Sequence, residues 1–191
     1  MKTHASWYEI FMYSHVMIYV FLNYFSFYYM NHNTQLILWL FYVLVPLIDM
    51  IAKPDTENLT HSVSKDYEKD KRFLIPLYLF FFNDYINFFW ALYQFTYANF
   101  SGSLHRFVFI FSQSHFAALG LTVGHELLHR KEVIHKICGT LAYSKVLYSH
   151  FFIEHTKGHH KNVATPMDPA TSRIGESLYR FLPRTFIGGY K

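Results

Sequence analysis

Two segments of this 191-residue chain combine histidine and acidic residues at spacings that suit metal binding. The first, GHELLHR, starts at Gly124 and places His125 and His129 four residues apart. On a helix that spacing puts both imidazoles on one face, close enough to share a metal ion. The same letters match the HExxH pattern of zinc peptidases, in which Glu126 would be the general base. The first segment alone therefore leaves the chemistry open.

The second segment, HFFIEHTKGHH, helps to distinguish a zinc peptidase from a site that holds more than one metal ion. It repeats the four-residue spacing with His155 and His159 and adds His160. A zinc peptidase needs one further ligand after HExxH, whereas this segment offers three, enough to begin a site for two metals. Imidazole suits zinc, copper, iron and nickel, so ligand type alone does not name the metal. Soluble di-iron bundles use mainly carboxylates, and a pair of histidine boxes instead favours a membrane di-iron oxygenase or desaturase.

Long apolar stretches must position these boxes. The chain is 52% hydrophobic and 21% aromatic, and it has four apolar stretches at residues 10–30, 36–52, 73–100 and 104–123. Each is near or above the roughly 17 to 25 residues that a membrane-spanning helix needs. The first is long for a signal peptide and shows no clear cleavage site. The sequence therefore predicts an all-α, polytopic membrane protein with about four transmembrane helices, in a single membrane domain over residues 1–191.

The charged segment at residues 53–72 orients this arrangement. It contains four lysines and one arginine, whereas the loops on the other side offer only Arg106. By the positive-inside rule it is a cytoplasmic loop, and the boxes at residues 125–129 and 155–160 lie on the same side. Residues 134–153 are predicted to form an interfacial or re-entrant helix. The basic residues flank apolar runs, which favours a lipid bilayer and not nucleic acid as partner. The single cysteine, Cys138, excludes an internal disulfide.

Polar and aromatic residues within the apolar stretches are candidates for a substrate path. Asp84 lies near mid-membrane, where an ionisable group is costly, so it either forms an interhelical hydrogen bond or lines a substrate or proton path. Trp39 and Phe41 either limit the depth of a substrate tunnel or simply pack. Four other histidines are read as interfacial or hydrogen-bonded helix residues: His15, His32, His105 and His115.

The histidine boxes also carry a family resemblance. GHELLHRKE and SHFFIEHTKGHHKNVATPMDPATSRIGESLYRFLPR resemble the first and second histidine boxes of the integral-membrane alkane 1-monooxygenases, including an ATPxDPA continuation. VPLID at Val45 to Asp49 is similar too, and the likeness is strong after Thr122 and weak before Ala52. That family lies within the wider membrane fatty acid desaturase and hydroxylase superfamily, whose members usually have a shorter HxxHH second box. A desaturase or hydroxylase is the alternative.

The resemblance implies a reaction and a set of partners. One oxygen atom of O2, the co-substrate, would enter the terminal C–H bond of an alkane or a similar fatty-acyl-like hydrophobic chain and give a primary alcohol. Two non-haem iron ions would be the cofactors, and a rubredoxin-type donor with its reductase would supply electrons. The implied iron ligands are His125, His129, His155, His159 and His160. Glu126, Glu154 and Asp168 would orient imidazole N–H groups.

The family has further spanning helices and later histidine clusters. The chain is therefore expected to be the N-terminal part of a larger oxygenase, which alone binds iron weakly and does not hydroxylate alkanes. Three rivals have distinct signatures. A desaturase forms a double bond, a zinc peptidase loses activity when Glu126 alone is changed, and a non-catalytic membrane remnant holds substoichiometric metal.

Overall fold

The computed structural model describes residues 5–52 and 60–190, and all regular structure in these ranges is helical. Residues 53–59 of the predicted cytoplasmic loop lie outside the described part. The α-helices are α1 (Trp7–Met12), α2 (Met17–Tyr29), α3 (Gln35–Trp39), α4 (Val45–Ile51), α5 (His61–Lys69), α6 (Leu74–Tyr97), α7 (Ser103–Leu128), α8 (Val133–Ser144), α9 (Phe151–Ile153), α10 (His160–Asn162) and α11 (Leu178–Gly189). A 3₁₀ turn covers Lys71–Phe73, and π-helical turns cover Leu40–Leu44 and Glu154–His159.

Within the part of the chain that the structure describes, three helical segments are long and apolar enough to cross a membrane. They are Trp7–Tyr29, Lys71–Tyr97 and Ser103–Leu128, with 23, 27 and 26 residues. At about 1.5 Å per residue, each exceeds the hydrocarbon core of about 30 Å. A fourth apolar segment, Gln35–Ile51, is shorter. The predicted all-α membrane fold is confirmed, with three segments of full spanning length and one shorter companion.

The chain divides into two compact units, Met1–Val123 and Gly124–Lys191. In the first unit, one core cluster joins Val20, Ile37, Phe80 and Phe116, which come from α2, α3, α6 and α7. Large apolar side chains elsewhere on these helices are exposed, as expected for helices that face lipid. The second unit contains both histidine boxes.

Three carboxamide side chains tie the long helices of the first unit together. Asn23 on α2 donates to Asn87 on α6 at 2.9 Å, Asn87 donates to Gln113 on α7 at 3.0 Å, and Gln113 donates back to Asn23 at 2.9 Å. Each amide in this closed ring both donates and accepts, so polar groups at membrane depth are satisfied without water. Asp84, one turn before Asn87, is also buried, at 3% exposure.

The turn between α2 and α3 explains two of the histidines outside the boxes. Asn31 and His32 have positive φ angles of 52° and 63°. The His105 Nε2–H donates to the His32 carbonyl at 2.9 Å, and its Nδ1 lies 2.9 Å from the Ser101 hydroxyl. The His105 side chain therefore stabilises the turn between α2 and α3 through the His32 backbone carbonyl.

Candidate metal centre

The first histidine box lies at the carboxyl end of α7. His125 and His129 lie one helical turn apart, and their Nε2 atoms are 3.2 Å from each other. The i,i+4 spacing is what brings them to one face. The last turn of α7 therefore presents two imidazole nitrogens to a common point.

The second box adopts a π-helical turn, which the sequence did not predict. In the segment Glu154–His159 the backbone widens, and the His160 N–H donates to the carbonyl of His155, five residues earlier. A π-helical turn stacks residue i+5 over residue i, and such turns are frequent at functional sites. The His155 and His160 Nε2 atoms are accordingly 3.1 Å apart. The wider turn thus makes His160, and not only His159, a neighbour of His155.

The two boxes meet at His155. Its Nε2 lies 2.8 Å from that of His125 and 3.2 Å from that of His129. Ligand nitrogens of His125, His129 and His155 all lie within 4.8 Å of one another. We refer to these three residues and His160 as the histidine cluster.

The spacing of the nitrogens fits a metal ion. With metal–nitrogen distances of about 2.0–2.1 Å, ligands at a right angle have nitrogens about 2.9 Å apart, and ligands at the tetrahedral angle about 3.4 Å. The four measured separations are 2.8, 3.1, 3.2 and 3.2 Å. They lie close to these two values, so the nitrogens have the spacing of ligands that share a metal ion, and this spacing is compatible with either coordination geometry.

The surroundings of His155 favour the neutral imidazole that a metal ligand requires. The residue is only 9% exposed. Burial, followed by repulsion from His125 and the other clustered imidazoles, lowers the pKa of His155 to about 4. At neutral pH its imidazole is therefore uncharged and keeps the lone pair that a metal requires.

His159 is held by Asp168. The His159 Nδ1–H donates to Asp168 Oδ2 at 2.7 Å, and Asp168 is 1% exposed. Burial by itself raises the pKa of Asp168, but hydrogen bonds from Thr171, the Ala170 backbone and His159 outweigh it and hold the pKa below its usual value. Asp168 is thus a buried carboxylate anion that leaves the His159 Nε2 available, the arrangement common behind metal-bound histidines. The His159 ring stacks on His155 at a centroid distance of 5.3 Å, but its Nε2 is not among the converging nitrogens.

The two glutamates occupy different surroundings. Glu126 accepts a hydrogen bond from Arg130 at 2.5 Å, and its side chain is 46% exposed. Glu154 is half-buried, and burial followed by the nearby Asp168 raises the pKa of its carboxyl. The structure thus gives Asp168 a direct contact with an imidazole, while the contact it records for Glu126 is with Arg130.

The candidate substrate-path residues lie in the first unit. Trp39 is 61% exposed and Asp84 is buried. Phe41 stacks on Tyr19 at 4.9 Å. Their role in binding substrate stays a prediction.

A close helix contact supports the first box. A Cβ at Gly139 on α8 would lie 2.8 Å from the Gly124 carbonyl oxygen and 2.8 Å from Leu128 Cγ. A Cβ at Gly124 would lie 2.8 Å from Ala142 Cβ. The last turn of α7 and the middle of α8 therefore touch through glycine, and this contact sets the position of His125 and His129.

Known proteins resemble the chain over most of its length, although no family model matches it. It is 41% identical over 164 residues to alkane 1-monooxygenase 1 of Alcanivorax borkumensis and 36% identical over 161 residues to alkane 1-monooxygenase of Pseudomonas putida. The enzyme of the same name from Acinetobacter baylyi is 33% identical over 150 residues. These alignments cover 84%, 82% and 78% of this chain, but 39%, 39% and 36% of the relatives. The chain is therefore a homologue of the alkane 1-monooxygenases that spans less than two fifths of these relatives, which is consistent with an N-terminal portion of the family.

Proposed function

We propose that this chain provides the first two histidine boxes of a membrane di-iron monooxygenase that converts an alkane to a primary alcohol. The observation that carries the proposal is the convergence of the His125, His129 and His155 Nε2 atoms, which lie 2.8 to 3.2 Å from one another. The His160 Nε2 lies 3.1 Å from that of His155. The names of the relatives supply the reaction class. Iron in such a site would supply the electrons and the binding positions that activate O2.

The residues divide between two iron ions in this proposal. His125, His129 and His155 would hold one of them, since their nitrogens converge. His160 would join them, because its Nε2 lies 3.1 Å from that of His155. His159 would hold the second, because Asp168 leaves its Nε2 available. Asp168 would keep the His159 proton on Nδ1, and the half-buried Glu154 would orient neighbouring imidazoles through their N–H groups.

A zinc peptidase fits the cluster less well. Catalytic zinc sites of that type have three protein ligands and a glutamate that activates water. Here a fourth imidazole joins the cluster, and Glu126 forms an ion pair with Arg130. A fatty acid desaturase or hydroxylase stays the alternative. The product separates these enzymes from an alkane monooxygenase, since a desaturase forms a double bond.

The proposed substrate and partners follow from the family and the membrane setting. An alkane partitions into the bilayer, so it would reach the site through the apolar helices. Two external electrons and two protons are needed per turnover, since the second oxygen atom of O2 leaves as water, and we propose a rubredoxin-type donor with its reductase as the source of the electrons. These assignments rest on the resemblance and on the relatives' names.

Both boxes are proposed to face the cytoplasm, because Lys65, Lys69, Lys71 and Arg72 lie in the connection before α6. Cys138 is buried, so we expect an informative label only at an introduced thiol. In a Cys138→Ser background, a membrane-impermeant maleimide should label Lys69→Cys only after the cytoplasmic face is opened. Ser103→Cys, an exposed position at the start of α7, should label from outside. The reverse pattern would invert the topology.

The reaction itself can be tested in a chimera. This chain would replace the aligned 164-residue portion of the Alcanivorax borkumensis relative, in a host that lacks alkane hydroxylation. We expect growth with an alkane under ¹⁸O2 to give a primary alcohol with one ¹⁸O atom, detected by gas chromatography and mass spectrometry. An alkene product would support the desaturase, and an iron-loaded chimera without any product would contradict the proposed function.

A further inference from the structure

Arg184 on α11 makes four hydrogen bonds around the loop that follows Asp168. Its Nε and Nη2 donate to the two carboxylate oxygens of Glu176 at 2.7 and 2.6 Å. Its Nη1 donates to the Pro169 carbonyl at 3.0 Å, and Nη2 also donates to the Thr171 carbonyl at 2.9 Å. One guanidinium therefore holds the backbone on both sides of Ala170.

Thr171 connects this clamp to Asp168. Its carbonyl accepts from Arg184, while its hydroxyl donates to Asp168 Oδ2 at 2.5 Å. The same carboxylate oxygen accepts the Nδ1–H of His159. A continuous series of hydrogen bonds thus runs from Arg184 through Thr171 and Asp168 to a histidine of the second box.

The clamp is tightly packed. A Cβ at Gly188 would collide with Pro169 Cβ, so the backbone of α11 lies directly against the loop. Glu176 is 9% exposed and Arg184 is 24% exposed. Hydrogen bonds from Arg184, followed by that from the Arg173 backbone, lower the pKa of Glu176 to about 2. The pair stays ionised at neutral pH.

We propose that Arg184 is a positioning residue for the metal centre, a role that rests on the proposed function. It holds Pro169 and Thr171 so that Asp168 keeps the His159 proton on Nδ1 and leaves Nε2 for the metal. An ordinary surface ion pair contributes little and would not affect a histidine elsewhere. Here two of the four bonds go to the backbone carbonyls of Pro169 and Thr171, which follow Asp168 in the chain. Arg184 is therefore connected to His159 through Thr171 and Asp168.

The proton on His159 gives a readout that needs no metal. The sample is the full chain in detergent, labelled with ¹⁵N-histidine. The His159 Nδ1–H, bonded to buried Asp168, should give a strongly downfield proton resonance that exchanges slowly with water. Its loss in His159→Gln assigns it. We expect Arg184→Gln to abolish it. Arg184→Lys should not restore it, because an ammonium cannot reproduce the planar fork of four bonds. Arg180→Gln, an exposed arginine one turn earlier on α11, should leave it unchanged.

Metal affinity gives the second readout, with Co²⁺ alone as the probe and its visible absorption as the signal. Direct partners of ligand histidines typically change metal affinity about 10- to 100-fold, so we expect about tenfold weaker binding in Arg184→Gln. In an Asp168→Asn background the same change should have almost no further effect, since Arg184 acts through Asp168. Fully additive losses would overturn the proposal.

The proposal would also be overturned if Arg184→Gln retains its helicity, measured by circular dichroism, and keeps both the His159 resonance and the Co²⁺ affinity. If Arg184→Gln loses helicity, Thr171→Val and Arg184→Lys decide together, because the first removes the hydroxyl link and the second keeps the positive charge. Loss of the resonance in both variants supports the proposal, and retention in either contradicts it. If the unaltered chain binds no Co²⁺, the proposed metal centre fails, and the metal-free resonance alone then decides the role of Arg184.

Discussion

Replacing His155 with alanine in the chimera should remove most of the bound iron and abolish alcohol formation. Its Nε2 is the only one in the histidine cluster recorded within 3.2 Å of the other three. Loss of this nitrogen removes a ligand and separates the two boxes. Because changes behind a ligand already cost about 10- to 100-fold in affinity, we expect a loss of more than about 100-fold here. Bound iron per chain, measured by plasma mass spectrometry after anaerobic loading, checks the result.

His115 offers a matched control for His155. It also lies on a helix of the protein, but its ring bonds to the Phe111 carbonyl at 2.8 Å and faces the Tyr42 hydroxyl at 3.1 Å. His115→Ala should therefore retain bound iron. Full metal content in His155→Ala, or equal losses in both variants, would show that the cluster is not the metal centre.

Replacing Gly139 with alanine should disturb the first box from a distance. The added methyl group would lie 2.8 Å from the Gly124 carbonyl oxygen, a backbone atom that cannot rotate away. Overpacking of this kind typically costs about 1–3 kcal/mol. We expect the free energy of unfolding in detergent to fall by that amount. Metal affinity should fall with it, because the turn of α7 that carries His125 and His129 must shift away from α8.

Gly158 is the matched control for Gly139. It lies within the second box, yet a Cβ there meets nothing within 4 Å. Gly158→Ala should keep its stability, or gain up to about 1 kcal/mol from the smaller entropy of the unfolded chain. Thermal unfolding and Co²⁺ titration of both variants provide the measurement. A stable Gly139→Ala protein with full metal affinity would contradict the close contact of α7 and α8.

The second box shows where local reading of the sequence fails. The spacing of His155 and His159 predicts an α-helical face, but the backbone forms a π-helical turn at Glu154–His159. The His160 nitrogen thereby reaches the cluster, while His159 turns to Asp168. Helical periodicity reflects backbone hydrogen bonds between residues four apart. It therefore does not predict a single π-helical turn, in which the bonded residues are five apart.

The roles of the acidic residues likewise needed the fold. Glu126, Glu154 and Asp168 are all close in sequence to histidines, yet the recorded bond to an imidazole comes from Asp168. That bond depends on the loop back from Asp168 to Thr171 and on Arg184, thirteen residues beyond Thr171. Sequence proximity therefore named the candidates but could not rank them.

The sequence by itself predicted that this protein is helical, that it has apolar helices of spanning length, and that histidines are its candidate metal ligands, because apolar length and side-chain chemistry are local properties. Tertiary structure alone decided which nitrogens converge. The ring of Asn23, Asn87 and Gln113 joins residues as many as 90 positions apart, and His125 meets His155 across 30 positions. Such contacts depend on how helices pack, and in this chain Gly124 and Gly139 permit the close approach. Packing is a property of pairs of helix surfaces, which no single segment of the sequence contains.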